Sequence, residues 1–202
     1  MDCHPTLRKS NRGMLDSPLP IVGFCAFSGT GKTTLLTCLI PLLNTRGLRI
    51  GVVKHAHHRF DLDCPGSESR ALRTAGAEQL LIASRYRIAW IEETPKSEGE
   101  PKLADVLKVL DPRRLDLILV EGFKREPIPK IELHRPALGT PLLHPRDPNI
   151  VAIATDTPLL SQTPGLARLD LNRPDQIAAF IIDGIYREWR AKHACGALLR
   201  AL

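Results

Sequence analysis

The chain has 202 residues, 43% hydrophobic and 4% aromatic content, and a formal net charge of +6. That length suits one α/β domain with a real core and leaves little room for a second, and the scarcity of aromatics favours an aliphatic parallel sheet under helices over a β-sandwich. No apolar run is long enough to span a bilayer, and no basic stripe interleaved with aromatics marks a nucleic-acid binder; the modest positive charge fits an anionic small ligand or an acidic partner.

Residues Met1 to Ser17 are polar and basic and lack the apolar stretch of a secretory signal. They read as a disordered extension, 1–18, ahead of a nucleotide-binding domain at 19–192 and a tail at 193–202. The first strand covers about Ile21–Cys25. Directly after it, residues 26–34 read Ala-Phe-Ser-Gly-Thr-Gly-Lys-Thr-Thr, a phosphate-binding P-loop with a strand before it and a helix after it. Gly29 and Gly31 let the backbone turn tightly, so that consecutive N–H groups along Ser28, Gly29, Thr30 and Gly31 point at phosphate oxygens. Lys32 brings a mobile positive charge to the β- and γ-phosphates, and Thr33 offers a hydroxyl to Mg²⁺. The helix opening at Thr33-Thr34 presents its positive dipole end to the same anion. Ala26 stands where the pattern GxxxxGK(S/T) has its first glycine. A Cβ is tolerable there if the backbone keeps to an ordinary allowed region.

The helix runs from Lys32 to about Arg46, with Pro41 as a kink point and Gly47 as its stop. A second strand from Leu48 to Val53 ends at Lys54-His55, where open α/β sheets bind ligands. A polar loop from Ala56 to Gly66 follows, then a short helix from Ser67 to Thr74. The apolar runs Gln79–Ala83 and Arg87–Glu92 suit a hairpin or adjacent strands. A helix at Lys102–Leu110 precedes the strongest strand, Leu115 to Gly122, whose nearly continuous apolar character predicts a central position buried on both faces. The Pro-rich, charged span 123–148 holds one short strand, about Lys130–Leu133, and is read as a small β extension, a mobile loop or a dimer contact. Ile150–Ala154 is the last core strand, and an amphipathic helix covers Asp175 to about Lys192. The fold class is therefore α/β, a P-loop type with a mostly parallel sheet flanked by helices. Five cysteines (Cys3, Cys25, Cys38, Cys64 and Cys195) lack CxxC spacing, an unpaired set that suits a reducing cytoplasm.

A P-loop needs an acid that holds Mg²⁺, at the end of a strand beside the P-loop strand. Glu121 fits. Gly122 behind it allows close backbone approach. The loop after the second strand offers three readings. Asp61 and Asp63 can serve Mg²⁺ on a switch loop. His55, His57, His58 and Cys64 can hold a transition metal, although this spacing matches no standard zinc motif. Lys54 and the histidines can contact phosphate. The Asn-Lys-x-Asp motif that reads guanine is absent. Asp156 sits after a late strand where such a reader would sit, and a turn cap fits it as well.

The combination Phe27-Ser28-Gly29-Thr30-Gly31-Lys32-Thr33-Thr34-Leu35, Lys54-His55-x-His57-His58-x-x-Asp61-x-Asp63-x-Pro65-Gly66, Ala75-Gly76-Ala77, Glu93-Thr94-Pro95 and Leu115 through Lys124 resembles the MobB family, adapter proteins of molybdopterin-guanine dinucleotide biosynthesis. The resemblance runs from about Pro20 to Tyr186. It implies a GTPase-like fold, GTP and Mg²⁺ as ligands, weak intrinsic GTP hydrolysis and a homodimer. It also implies partnership with the guanylyltransferase that joins GMP to molybdopterin and with other cofactor-assembly proteins. The family's P-loop maps onto Gly29 to Thr34, its Mg²⁺-side acid onto Glu121 and its switch-like loop onto Asp61 and Asp63, so that Lys32, Asp61 and Glu121 are the catalytic candidates. Three other readings stand beside this one. In a small-molecule kinase, Asp61 or Asp63 would act as base. The chain can also be a binding module whose nucleotide only sets a conformation, or a metal-delivery GTPase drawing on the histidine loop.

Overall fold

The computed structural model describes residues 15–56, 60–64, 66–94, 99–158 and 165–198. The expected extension at 1–18 lies outside the described residues as far as residue 14, and so does the tail beyond 198. In chain order the elements are β1 (Ile21–Cys25), α1 (Lys32–Asn44), β2 (Ile50–Lys54), α2 (Glu68–Thr74), β3 (Gln79–Ala83), β4 (Ile88–Glu92) and α3 (Leu103–Leu107). Then come β5 (Leu117–Glu121), β6 (Lys130–His134), β7 (Ile150–Thr155), β8 (Ala167–Asp170), α4 (Pro174–Phe180), a π-helical stretch Ile181–Tyr186, and α5 (Arg187–Leu198). They form two compact units, one from residues up to 55 and from 103 onward, the other from 56–102.

The first unit is a six-stranded sheet in the order β2-β5-β1-β6-β7-β8, with every pairing parallel. The apolar run Leu117–Val120 is buried throughout and lies between β2 and β1, as its composition predicts. On one face of the sheet Val22, Phe24, Ala26, Leu117 and Leu119 pack with Leu35, Leu36, Leu39 and Leu43 of α1 and with Ile177 and Ile181 from the last helical segment. The spacing of those α1 leucines is the apolar stripe of a helix lying on a sheet. On the other face Ile21, Ile118 and Val120 pack with Leu103 of α3, Phe123 and Ile128. The chain order reverses between β1 and β6, so the switch point of the sheet falls where the P-loop leaves β1.

The strand expected near Lys130–Leu133 is present as β6, but it runs between β1 and β7, and the small antiparallel sheet is β3-β4. Having a neighbour on each side, β6 offers no free edge to complete a partner's sheet. Its polar alternate residues, Lys130, Glu132 and His134, are all buried. The partners come from the Pro-rich span. Lys130 Nζ meets Asp147 at 2.7 Å, and Glu132 accepts the backbone N–H groups of Leu143 at 2.6 Å and His144 at 2.9 Å. Burial pushes the Glu132 carboxyl above its usual range, and those two N–H bonds hold the rise in check. The edge strand β8 escaped the sequence reading because Leu169 is its one buried residue.

In the second unit Ser67 caps α2 by accepting the Arg70 N–H at 3.3 Å. The hairpin β3-β4 pairs Leu81 with Trp90 and Ala83 with Ile88. One face of this hairpin carries Leu81, Ile88 and Trp90, all exposed. No helix among the described residues is long and apolar enough to cross a membrane.

Candidate functional site

The P-loop turns on two left-handed glycines, Gly29 with φ 78° and Gly31 with φ 99°. Gly31 is the N-cap position of α1 and Lys32 its first residue, so the helix's unpaired N–H groups open at the loop. Thr30 is buried and its hydroxyl donates to Phe27 O at 2.9 Å, closing the loop on itself. Lys32 Nζ donates to Phe27 O at 3.2 Å and Ala26 O at 3.4 Å. Burial and the nearby Lys124 ammonium hold the Lys32 pKa below the ordinary lysine value. Lys32 is therefore a charge already partly stripped of water and ready to be compensated by an anion. Ala26 is buried in the core cluster. Phe123 is the only described non-glycine residue with a left-handed φ, so Ala26 keeps ordinary backbone and its methyl packs inward.

Thr33 and Glu121 meet across the β1 and β5 strand ends. The Thr33 hydroxyl lies 2.9 and 3.1 Å from the two Glu121 carboxylate oxygens. Lys54, paired with Glu121 in the β2-β5 register, brings its ammonium to 3.5 Å from Glu121 Oε2 and 3.4 Å from Thr33 Oγ1. A cation thus already leans on these two hard oxygens, and they are the donor types that Mg²⁺ takes. His55 follows Lys54. Its N–H donates to Glu121 O at 2.8 Å, and its ring stacks on Phe123 with centroids 4.6 Å apart. That stacking explains Gly122. The residue has φ 94°, and a Cβ on it would come within 2.7 Å of His55 Cβ.

Asp156 stands just past the carboxyl end of β7. Its Oδ2 meets Arg135 Nη1 at 2.5 Å and its Oδ1 accepts from the Thr157 hydroxyl at 3.0 Å. Desolvation pushes the carboxyl up, but the Thr157 and Arg135 bonds outweigh it and hold the group below its usual range. Arg135 Nε also donates to Thr30 O in the P-loop at 3.0 Å.

Asp61 and Asp63 lie in the second unit, where Arg73 gathers them. Its guanidinium reaches Asp61 at 2.6 Å, Asp63 at 2.9 Å and Glu93 at 2.7 Å. A bond from the Asp63 N–H, then the Arg73 fork, hold the Asp61 carboxyl below its ordinary range. Of the residues named for a transition metal, His57 and His58 lie outside the described residues, and Cys64 is an exposed free thiol. Among the described residues no three His, Cys, Asp or Glu side chains gather as a metal site.

Three residues escaped the sequence reading. Lys124 sets its ammonium 5.4 Å from the Phe27 ring centroid and lowers the Lys32 pKa. Arg73 organises the loop acids. Arg135 ties the P-loop to Asp156. Arg135 carried a usable signal, since it lies two residues past the strand predicted near Lys130–Leu133, at the end where parallel sheets bind ligands.

Residues 21–156 match the family model for MobB, molybdopterin guanine dinucleotide synthesis protein B. The chain is 44% identical over 171 residues to the molybdopterin-guanine dinucleotide biosynthesis adapter protein of Escherichia coli K12, covering 84% of this chain and 95% of that one. A crystal structure of molybdopterin-guanine biosynthesis protein B superposes with a TM-score of 0.60 at 27% identity, over 81% of this chain and 98% of the other. A tetraacyldisaccharide 4'-kinase of Pseudomonas fluorescens is 34% identical over 107 residues, only 30% of its length. The chain belongs to the MobB family.

Proposed function

We propose that this MobB-family chain is a cytoplasmic GTP-binding adapter that assists the attachment of GMP to molybdopterin, with slow hydrolysis of GTP. The observation that carries the reading is the Thr33–Glu121 pair beside the Gly29–Lys32 loop. The loop's N–H groups, the α1 N-terminus and Lys32 suit a polyphosphate. Thr33 and Glu121 would hold Mg²⁺, which when bound neutralises phosphate charge and orients the leaving group. Asp61 and Asp63, the switch-loop candidates, are held by the Arg73 guanidinium. Slow turnover follows from the parts at hand. Among the described residues Gln79 is bonded to Glu92 and Gln176 to the Asp170 N–H, and the Arg135 guanidinium beside the loop is engaged by Thr30 O and Asp156, whereas a water-positioning glutamine and a free arginine finger supply most of the rate in fast enzymes.

The working form is proposed to be a homodimer that engages the guanylyltransferase and other assembly proteins. The exposed face of Leu81, Ile88 and Trp90 supports a second copy as the occupant. A two-stranded hairpin is marginal alone, and an apolar face on it is stabilised by a matching face.

Calorimetric titration with GTP and ATP in the presence of Mg²⁺, on the parent and Lys32→Ala, tests the reading. The parent is expected to prefer GTP and the variant to lose binding. Equal or tighter ATP binding would overturn the adapter reading in favour of a general NTPase or kinase. With labelled nucleotide, release of inorganic phosphate alone separates the adapter from a kinase.

A further inference from the structure

The sequence lacks Asn-Lys-x-Asp, in which neighbouring residues of one short motif recognise guanine and brace the reader against the phosphate loop. The fold brings those two tasks together from separate strands. Arg135 leaves the carboxyl end of β6 and Asp156 that of β7, and these two strands pair in parallel with His134 opposite Thr155. The P-loop leaves β1, the other neighbour of β6. A nucleotide with its phosphates in the P-loop therefore extends its base across the strand ends that carry Arg135 and Asp156.

We propose that Arg135 is a specificity-determining positioning residue, whose guanidinium fixes the Asp156 carboxylate in register with the P-loop so that it reads the guanine edge. The inference rests on the GTP-binding reading above and deepens it.

The hydrogen-bond inventory supports this role. A carboxylate has about four acceptor positions, two on each oxygen. Arg135 takes one on Oδ2 and the Thr157 hydroxyl takes one on Oδ1. The Asp156 backbone N–H adds a further bond to the carboxylate, and among the described residues acceptor capacity is still left beside these three. Guanine presents two donors side by side, the N1–H and the exocyclic N2 amine, and a carboxylate is the side chain that can accept both, one on each oxygen. The same guanidinium grips Thr30 O through Nε, so the reader is registered to the phosphate cradle and not only to its own turn. A fixed fork does this and a lysine does not, because lysine is a flexible point charge. Both partners are more than half withdrawn from water, with side chains 36% and 22% exposed, which keeps the pair from being a purely solvated surface contact.

The test measures affinities for the Mg²⁺ complexes of GTP, ITP and XTP by calorimetry on the parent, Arg135→Gln and Asp156→Asn. ITP lacks the N2 amine and XTP carries a carbonyl in its place. The parent is expected to bind GTP about tenfold or more tighter than ITP, the scale of one hydrogen bond to a charged acceptor. In Arg135→Gln that ratio should fall toward one, because the carboxylate is no longer aimed. In Asp156→Asn the preference should invert to XTP, because the amide supplies a donor to the carbonyl. A merely structural Arg135 would lower all three affinities together and leave the ratios alone, and that result overturns the inference while GTP binding stands. A parent that binds GTP and ITP equally overturns this inference while GTP binding stands, and a parent that binds none of the three overturns the GTP-binding reading and this inference with it. Circular dichroism checks the fold. If Arg135→Gln is unfolded, Arg135→Lys replaces it, and a parent-like GTP/ITP ratio in that variant counts against the proposal.

Discussion

The Thr33 hydroxyl donates to the Glu121 carboxylate at 2.9 Å, joining the first turn of α1 to the end of β5 across 88 positions of sequence. The contact exists because β5 is the direct neighbour of β1 in the sheet. It puts two hard oxygen donors together at the mouth of the P-loop.

Glu121→Gln is expected to weaken Mg²⁺-dependent GTP binding by about tenfold or more, since an amide keeps the shape but loses the charge that holds a dication. Binding measured in EDTA should change little. Titrations with and without Mg²⁺ check this, and an unchanged Mg²⁺ dependence would remove Glu121 from the site.

Lys130 is 1% exposed and depends on Asp147 for compensation. Asp147→Ala should cost roughly 3–5 kcal/mol, because it leaves a buried ammonium without its partner. Adding Lys130→Met to that variant should recover much of the loss. Denaturant unfolding of the single and double variants measures both effects.

The parent is expected to sediment as a dimer, and Trp90→Asp as a monomer. Trp90 pairs with Leu81 on the exposed hairpin face, and a charge there opposes burial against a second copy. A parent that stays monomeric across a wide concentration range would contradict the homodimer.

Acid should unfold the protein partly through Asp116. The Arg49 guanidinium, with a bidentate fork on the carboxylate, holds this group at about 2 from an ordinary 3.8. The unfolded chain binds the proton more readily, so the stabilisation is complete above the ordinary value and fades as pH falls toward 2. Allowing for the exposure of Arg49, its size is about 1 kcal/mol. Asp116→Asn should therefore lower stability at pH 6 and make little difference near pH 2, as read from unfolding midpoints at the two pH values.

Two kinds of information divide in this protein by distance along the chain. The P-loop, the apolar runs of β1, β5 and β7, and the leucine stripe of α1 are legible in the sequence because each is set by contiguous residues. Glycines at 29 and 31 supply left-handed backbone, a strand buried on both faces needs unbroken apolar residues, and a helix on a sheet needs one apolar face. Glu121 was legible because its strand was. The role of β6 was not. Lys130, Glu132 and His134 are polar, and only the folding of the 135–149 span over them supplies an aspartate and two backbone N–H groups. Nor was the bridge from Thr30 through Arg135 to Asp156. Its three residues follow three strands that the sheet order makes neighbours. Strand order is decided by which crossovers pack best over the whole core, so it leaves no mark in the local pattern of residues.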